Sequence, residues 1–273
     1  MMTIDSSTDV YTSFDDLSVE LADGVLSLTL NRPDSLNSLT AAMLKGIADT
    51  LEQAAGDPRV RVARLGGAGR GFSSGAGISA EDHDNPETSG RPGDVLDAAN
   101  RAVRSIVNLP QPVVAVVQGP AAGVGASLAL ASDLVLASEK AFFMLAFTKI
   151  GLMPDGGASA LIAAAVGRIR AMRMALLAER IPAAEAFEWG LVTAVYPADQ
   201  FDVEVEKVVA ALVSGPVVAL RKTKDAINAA TLTELEAALE REKQGQLALL
   251  GADDFREGTQ AFQQRREAKF RDS

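Results

Sequence analysis

A chain of 273 residues, 48% apolar and 23% charged, is long enough to bury one large core and has the composition of a folded globular protein. The absence of cysteine excludes disulfides, thiolate nucleophiles and cysteine-ligated metals, and a net charge of -10 argues against a nucleic-acid-binding face. The N-terminus has no basic, apolar leader and no run approaches the ~18 apolar residues of a membrane span, so a cytoplasmic protein with no membrane or nucleic-acid partner is expected.

The stretch LSVELADGVLSLTLNRP alternates with period two around Ala22-Asp23-Gly24, a tight-turn signal that predicts an opening hairpin. Met43, Leu44, Ile47 and Leu51 recur at helical spacing within 39–54, and RVRVARLGG then predicts a strand over 60–66. A Gly/Ser-rich loop at 72–79 leads into the polar segment EDHDNPETSGRPG at 81–93, which has the composition of a surface lid. A helix over 94–108, the apolar run VVAVV at 113–117, a Gly-rich turn, a short helix near 124–131 and the strand LVLAS follow.

This alternation predicts a largely parallel sheet covered by helices, with ligands at loops beyond the strand ends, here 72–79 and 119–125. From about 198 only helical periodicity remains, with Thr231/Glu234 or Thr233/Glu236 as capping boxes ahead of the stripe Leu235, Leu239, Leu247. The chain thus divides into a core over 1–197 and a helical region over 198–273, which must pack on that core or on another subunit.

The two Gly-rich loops carry the chemistry. Gly75-x-Gly77-x-x-Ala80 fits a dinucleotide fingerprint only formally, because it runs into polar sequence instead of opening a helix, and no phosphate-loop motif occurs. In GPAAGVGASLALASD, Gly119, Gly123 and Gly125 either turn the chain or let backbone approach a ligand. The helix starting at Val124 presents N–H groups without intrahelical partners, the arrangement of an oxyanion hole.

NRPDSLNSLT, GRGFSSGAGIS, VVAVVQGPAAGVGASLALASDLVLAS and FTKIGLMPDGGAS resemble, in order and spacing, the signature segments of the crotonase (enoyl-CoA hydratase/isomerase) superfamily over nearly the whole chain. The resemblance implies an α/β spiral of ββα units, a C-terminal helical trimerisation region, a homo-trimer or hexamer, and an acyl-CoA substrate. It implies oxyanion donors at the amides of Ala76, after Gly75, and of Val124, after Gly123. It also implies coenzyme A contacts from Ala76, Gly77 and Ile78, with Leu36 beside them and Gly123 and Val124 in the second loop. Gly77 departs from the Asp common in the family. Lys269, in the terminal AKF, either reaches the coenzyme A phosphates or is a solvated tail charge.

Hydratases of this superfamily resemble one another in carrying two glutamates around a catalytic water; the matching positions here are Ser127 and Phe147, which exchange no proton as a carboxylate does. Asp155, in GLMPDGG, matches the working carboxylate of isomerase-like and dehalogenase-like relatives, and Pro-Asp-Gly-Gly is also a good turn with Asp as a helix N-cap. His83 and Glu81 lie in the lid segment, and Ser73, Ser74 and Ser127 have no histidine placed to activate them. No metal and no organic cofactor are expected, coenzyme A being part of the substrate. The expected reaction is a double-bond shift in an enoyl-CoA, with Asp155 moving the proton and Ala76 and Val124 holding the enolate. The alternatives are a hydratase, a thioester hydrolase, or a catalytically silent acyl-CoA-binding paralogue.

Overall fold

The computed structural model describes residues 11–77 and 92–272. Strands β1 (Leu17–Ala22) and β2 (Val25–Leu30) form the predicted antiparallel hairpin, with Asp23 and Gly24 at positive φ as a two-residue turn requires. Helix α1 (Ala41–Ala54) is capped by Thr40, whose hydroxyl accepts from the Met43 amide, and it buries Met43, Leu44, Ile47 and Leu51. Strand β3 (Val62–Gly67), helix α2 (Pro92–Asn108) and strand β4 (Val113–Val117) follow.

Next come β5 (Ala121–Ala122), α3 (Val124–Leu130), β6 (Leu134–Ser138), β7 (Phe142–Met144) and a 3-10 helix at Ala146–Ile150. Helix α4 (Ala158–Leu177) is interrupted at Gly167, whose φ of 77° is available to glycine. After it come β8 (Ile181–Pro182), α5 (Ala183–Trp189) and β9 (Ala194–Tyr196). The remaining elements are helices: α6 (Phe201–Ser214), α7 (Val217–Thr231), α8 (Leu235–Leu250) and α9 (Asp253–Gln263).

The large sheet runs β1-β2-β3-β4-β6-β9 and is parallel after the first hairpin, while β5, β7 and β8 form a small second sheet. Parallel bridges Leu39–Ala76 and Ser73–Ala121 continue the small sheet's pairing into the earlier part of the chain. Successive turns therefore repeat one pattern: a long strand, a short strand or bridge, then a helix. That is the spiral of ββα units the resemblance implies. Strand β4 shows why its sequence is uniformly apolar: Val113, Ala115 and Val117 enter the main core, and Val114 and Val116 pack with Phe201, Val205 and Val209 of α6 on the other face.

The C-terminal helices fold back onto this core. α8 packs on α2 and α4, and α9 on the 3-10 helix. Lys224 of α7 is buried, pairing with Asp133 at 2.8 Å and donating to the carbonyls of Ile106 and Gln111.

Two expectations for this region are corrected. Neither proposed capping box forms: the N-cap of α8 is Glu234 with no side-chain cap, and the Thr231 hydroxyl donates back to the Ile227 carbonyl within α7. The buried stripe of α8 is Leu235, Ala238, Leu239, Glu242 and Gln246, whereas Leu247 is exposed. Helical phase decides this, because 235, 239, 242 and 246 share a face and 247 is turned away from it.

Candidate active site

Close backbone packing joins the two Gly-rich loops. Gly75 has φ +94°, and a Cβ there would lie 2.9 Å from the Ala122 carbonyl oxygen; a Cβ at Gly125 would lie 2.6 Å from Ser73 Cβ. Only glycine permits either approach, which brings residues 73–77 against the N-terminus of α3. The bridge to Leu39 uses the Gly75 carbonyl, accepting from Leu39 N at 2.8 Å, and the Gly77 amide, donating to Leu39 O at 3.2 Å. Among the described residues neither the Ala76 amide nor the Val124 amide donates a hydrogen bond. Val124 is the first residue of α3, where an N–H has no intrahelical acceptor. Two free amides thus lie on loops in direct contact.

A third segment, 147–157, closes on the same place. A Cβ at Gly123 would lie 3.9 Å from Phe147 Cζ, and one at Gly156 would lie 3.4 Å from Val124 Cγ2 and 3.3 Å from Ser127 Oγ. Ser127 is fully buried, and its hydroxyl donates to the Asp155 backbone carbonyl at 2.8 Å. Phe147 is buried against this turn and brings no proton-exchanging group.

Asp155 does not cap α4, whose N-cap is Gly157 with no side-chain bond. Its carboxylate turns instead toward α8, where Oδ2 accepts from Gln246 Nε2 at 2.8 Å. Oδ1 is shielded from solvent and has no partner among the described residues. Burial raises the carboxyl to about 7, opposed by the Gln246 hydrogen bond and assisted by the negative charge of Glu242.

Glu242 is itself buried. It accepts from the amides of Gly157 at 2.7 Å and Ser159 at 2.8 Å, and burial lifts its own proton affinity.

The other anticipated residues are more scattered. Leu36 sits at φ 55° beside Gly71, and its carbonyl accepts from the Ser74 amide at 2.8 Å, so it adjoins the first loop. Lys269 is exposed in a tail that folds back on α9, its amide donating to Glu257 at 2.8 Å. Ile78, Glu81, His83 and most of the segment read as a lid lie outside the described residues. No metal-ligating cluster of three or more His, Asp or Glu occurs among the described residues.

This geometry can be set beside known proteins. The sequence model of the "Enoyl-CoA hydratase/isomerase" family matches residues 20–273. The chain belongs to the enoyl-CoA hydratase/isomerase family. It is 40% identical over 262 residues to a probable enoyl-CoA hydratase of Rhodobacter capsulatus, covering 94% of this chain and 98% of that one. To the 1,2-epoxyphenylacetyl-CoA isomerase of Escherichia coli it is 37% identical over 251 residues, covering 90% and 95%. The crystal structure of an enoyl-CoA hydratase from Mycobacterium avium subsp. paratuberculosis superposes with a TM-score of 0.88 at 67% identity, covering 94% and 99% of the two chains. The family supports acyl-CoA as the substrate class, and this chain is an enzyme of that family.

Sequence reasoning missed Glu242 and Gln246 in this family member. Read alone, EREKQGQ at 240–246 looks like a solvated charged face. The available signal was phase: both residues continue the Leu235–Leu239 stripe, and polar residues on an apolar stripe require buried partners.

Proposed function

We propose that this enzyme moves a double bond within an enoyl-CoA. Asp155 removes a proton next to the thioester carbonyl, the Ala76 and Val124 amides hold the resulting enolate oxygen, and the same carboxyl returns the proton farther along the chain. The observation that carries the reading is Asp155 Oδ1, a shielded carboxylate oxygen with no partner among the described residues, on a carboxyl whose proton affinity lies near neutrality and on a turn packed against Val124. A general base is most effective with a pKa near the working pH. Ser127 and Phe147 favour isomerisation over hydration, since one is buried and bonded to backbone and the other is aromatic.

A developing enolate needs donors aimed at one oxygen, and free amides at a helix start supply them without adding a side-chain cation to an acidic protein. Ala76, Gly77, Ile78 and Gly123 would line the thioester and pantetheine, with Leu36 alongside; the Gly77 amide is committed to Leu39, so its contribution would come through its carbonyl and bare Cα. Lys269, exposed on the C-terminal tail, is the candidate for the coenzyme A phosphates. The reaction written this way consumes no organic cofactor. Exposed Ile169, Leu176, Leu177 and Phe187 support a homo-trimer or hexamer, because so much uncovered apolar surface favours association. An acidic, cysteine-free chain in which no described helix is long and apolar enough to cross a membrane suits the cytoplasm.

The hydratase names among relatives keep hydration as the competing reaction. The test compares both on one preparation: 3-enoyl-CoA should become 2-enoyl-CoA far faster than 2-enoyl-CoA gains water. In deuterated solvent, part of the migrating hydrogen should be carried between carbons without exchange. Rapid hydration together with slow isomerisation would replace this reading with the hydratase one.

A further inference from the structure

The turn that carries Asp155 is held by a helix more than eighty residues away in sequence. Gln246 of α8 makes three hydrogen bonds to that turn. Its Oε1 accepts from Met153 N at 3.1 Å, and its Nε2 donates to Met153 O at 2.9 Å and to Asp155 Oδ2 at 2.8 Å. One turn earlier, Glu242 receives the Gly157 and Ser159 amides and the Ser159 hydroxyl. Gln246 and Glu242 are 2% and 1% exposed, too enclosed to reach a substrate. The packing between them is equally close, since a Cβ at Gly157 would lie 2.7 Å from Leu235 Cδ1. Backbone on both sides of Asp155 is thereby clamped to one helix face.

We propose that Gln246 and Glu242 are positioning residues for Asp155, with Gln246 fixing which carboxylate oxygen takes the substrate proton and Glu242 setting how readily it is taken. This rests on the reading of Asp155 as the base. The chemistry follows from donor and acceptor types. A glutamine whose Oε1 is bound to Met153 N must present its Nε2 to the carboxylate, so Oδ2 carries that hydrogen bond while Oδ1, which has none among the described residues, is the freer of the two to accept a proton. A buried carboxylate at Glu242 opposes a second negative charge nearby and holds Asp155 closer to its protonated form. Among the described residues no other titratable group faces Asp155: α3 carries none, Lys149 of the 3-10 helix is exposed, and the first turn of α4 is uncharged. Arg241 lies beside Glu242 and acts on that carboxylate.

The two residues should therefore push the base in opposite directions. In Gln246→Met the carboxylate loses its donor, so the acid limb of the isomerisation pH profile should move up and kcat should fall about 10- to 100-fold with little change in KM. In Glu242→Gln the neighbouring charge is removed, so the limb should move down. Asp155→Asn is the control for the underlying reading. The Asp155 carboxyl is also titrated directly by infrared difference spectroscopy against Asp155→Asn in unliganded protein, so a variant too slow to assay is still read. Opposite displacements of the limb, matched by the carboxyl titration, support the inference. If Asp155→Asn abolishes turnover while both variants titrate like the wild type, α8 only packs the turn and the inference is overturned. If Asp155→Asn turns over normally, the base assignment has failed instead, and the carboxyl titrations still decide whether α8 tunes Asp155.

Discussion

Two buried polar sites tie the C-terminal helices to the core, and they differ in completeness. At the first, Lys224 meets Asp133 and two backbone carbonyls, while Asp133 also accepts from the Val113 amide at 2.7 Å. At the second, Gln246 and Glu242 secure the 153–159 turn, yet Asp155 Oδ1 has no donor among the described residues. Both sites shift proton affinities for the same first cause. Burial raises Asp133, opposed by Lys224, and burial lowers Lys224, opposed by Asp133; burial raises Asp155 with a neighbouring negative charge adding to it. The first site neutralises its own charge and serves attachment. The second keeps a carboxylate under strain for charge, the condition in which a group takes up a proton near neutral pH.

The largest stability effect should come from breaking the satisfied site. Lys224→Met leaves Asp133 buried without a counter-charge and should cost about 3–5 kcal/mol in denaturant unfolding. Adding Asp133→Asn should recover much of that loss, because a buried pair holds little net stability over neutral replacements. A small loss in Lys224→Met would place this ion pair with surface pairs, and the contrast between the sites would fail.

At the second site, Val124→Pro removes one free amide where proline is well tolerated, the first position of a helix. It should lower isomerisation turnover about 100- to 1000-fold with acyl-CoA affinity retained, as titrated by calorimetry. Below a pH of about 7, kcat should fall roughly tenfold per unit as Asp155 is protonated. A flat profile down to pH 5 would mean that another group takes the proton. The smallest effect is expected for Ser127→Ala, which removes one hydroxyl donor from the Asp155 carbonyl and should cost about 1 kcal/mol in thermal unfolding.

The sequence was legible where local chemistry decides structure. Asp23-Gly24 can hardly make anything but a hairpin turn, VVAVV sits in a sheet with helices on both sides, and Thr40 caps α1 through its hydroxyl. The free amide at 124 was legible for a similar reason, since a helix start is a short-range signal, whereas the one at 76 was expected only from the resemblance of GRGFSSGAGIS to the family's segment. Contacts across long sequence separations were not. Thr231 and Thr233 stand ahead of glutamates at capping spacing, but Thr231 still belongs to α7 and its hydroxyl was already used. The clamp on Asp155 spans 91 positions, and nothing in PDGG announces a glutamine partner. The orientation of Asp155, away from a cap and toward α8, therefore came only from the fold.

That orientation has a consequence for stability. The folded state raises the Asp155 pKa from 3.8 to about 7, so folding favours its protonated form. Between those values the unfolded chain binds fewer protons, and the residue's contribution grows more unfavourable as pH rises, levelling off above about 7. Asp155→Asn removes this penalty, and relative to wild type its melting temperature should improve more at pH 8 than at pH 4.

The most direct measurement is Asp155→Asn assayed at pH 8 for turnover of 3-enoyl-CoA, with acyl-CoA affinity and melting temperature taken on the same protein. The account predicts a loss of at least about 100-fold in kcat, unchanged affinity and a melting temperature no lower than wild type. Turnover within a few-fold of wild type, with affinity and folding intact, would contradict it.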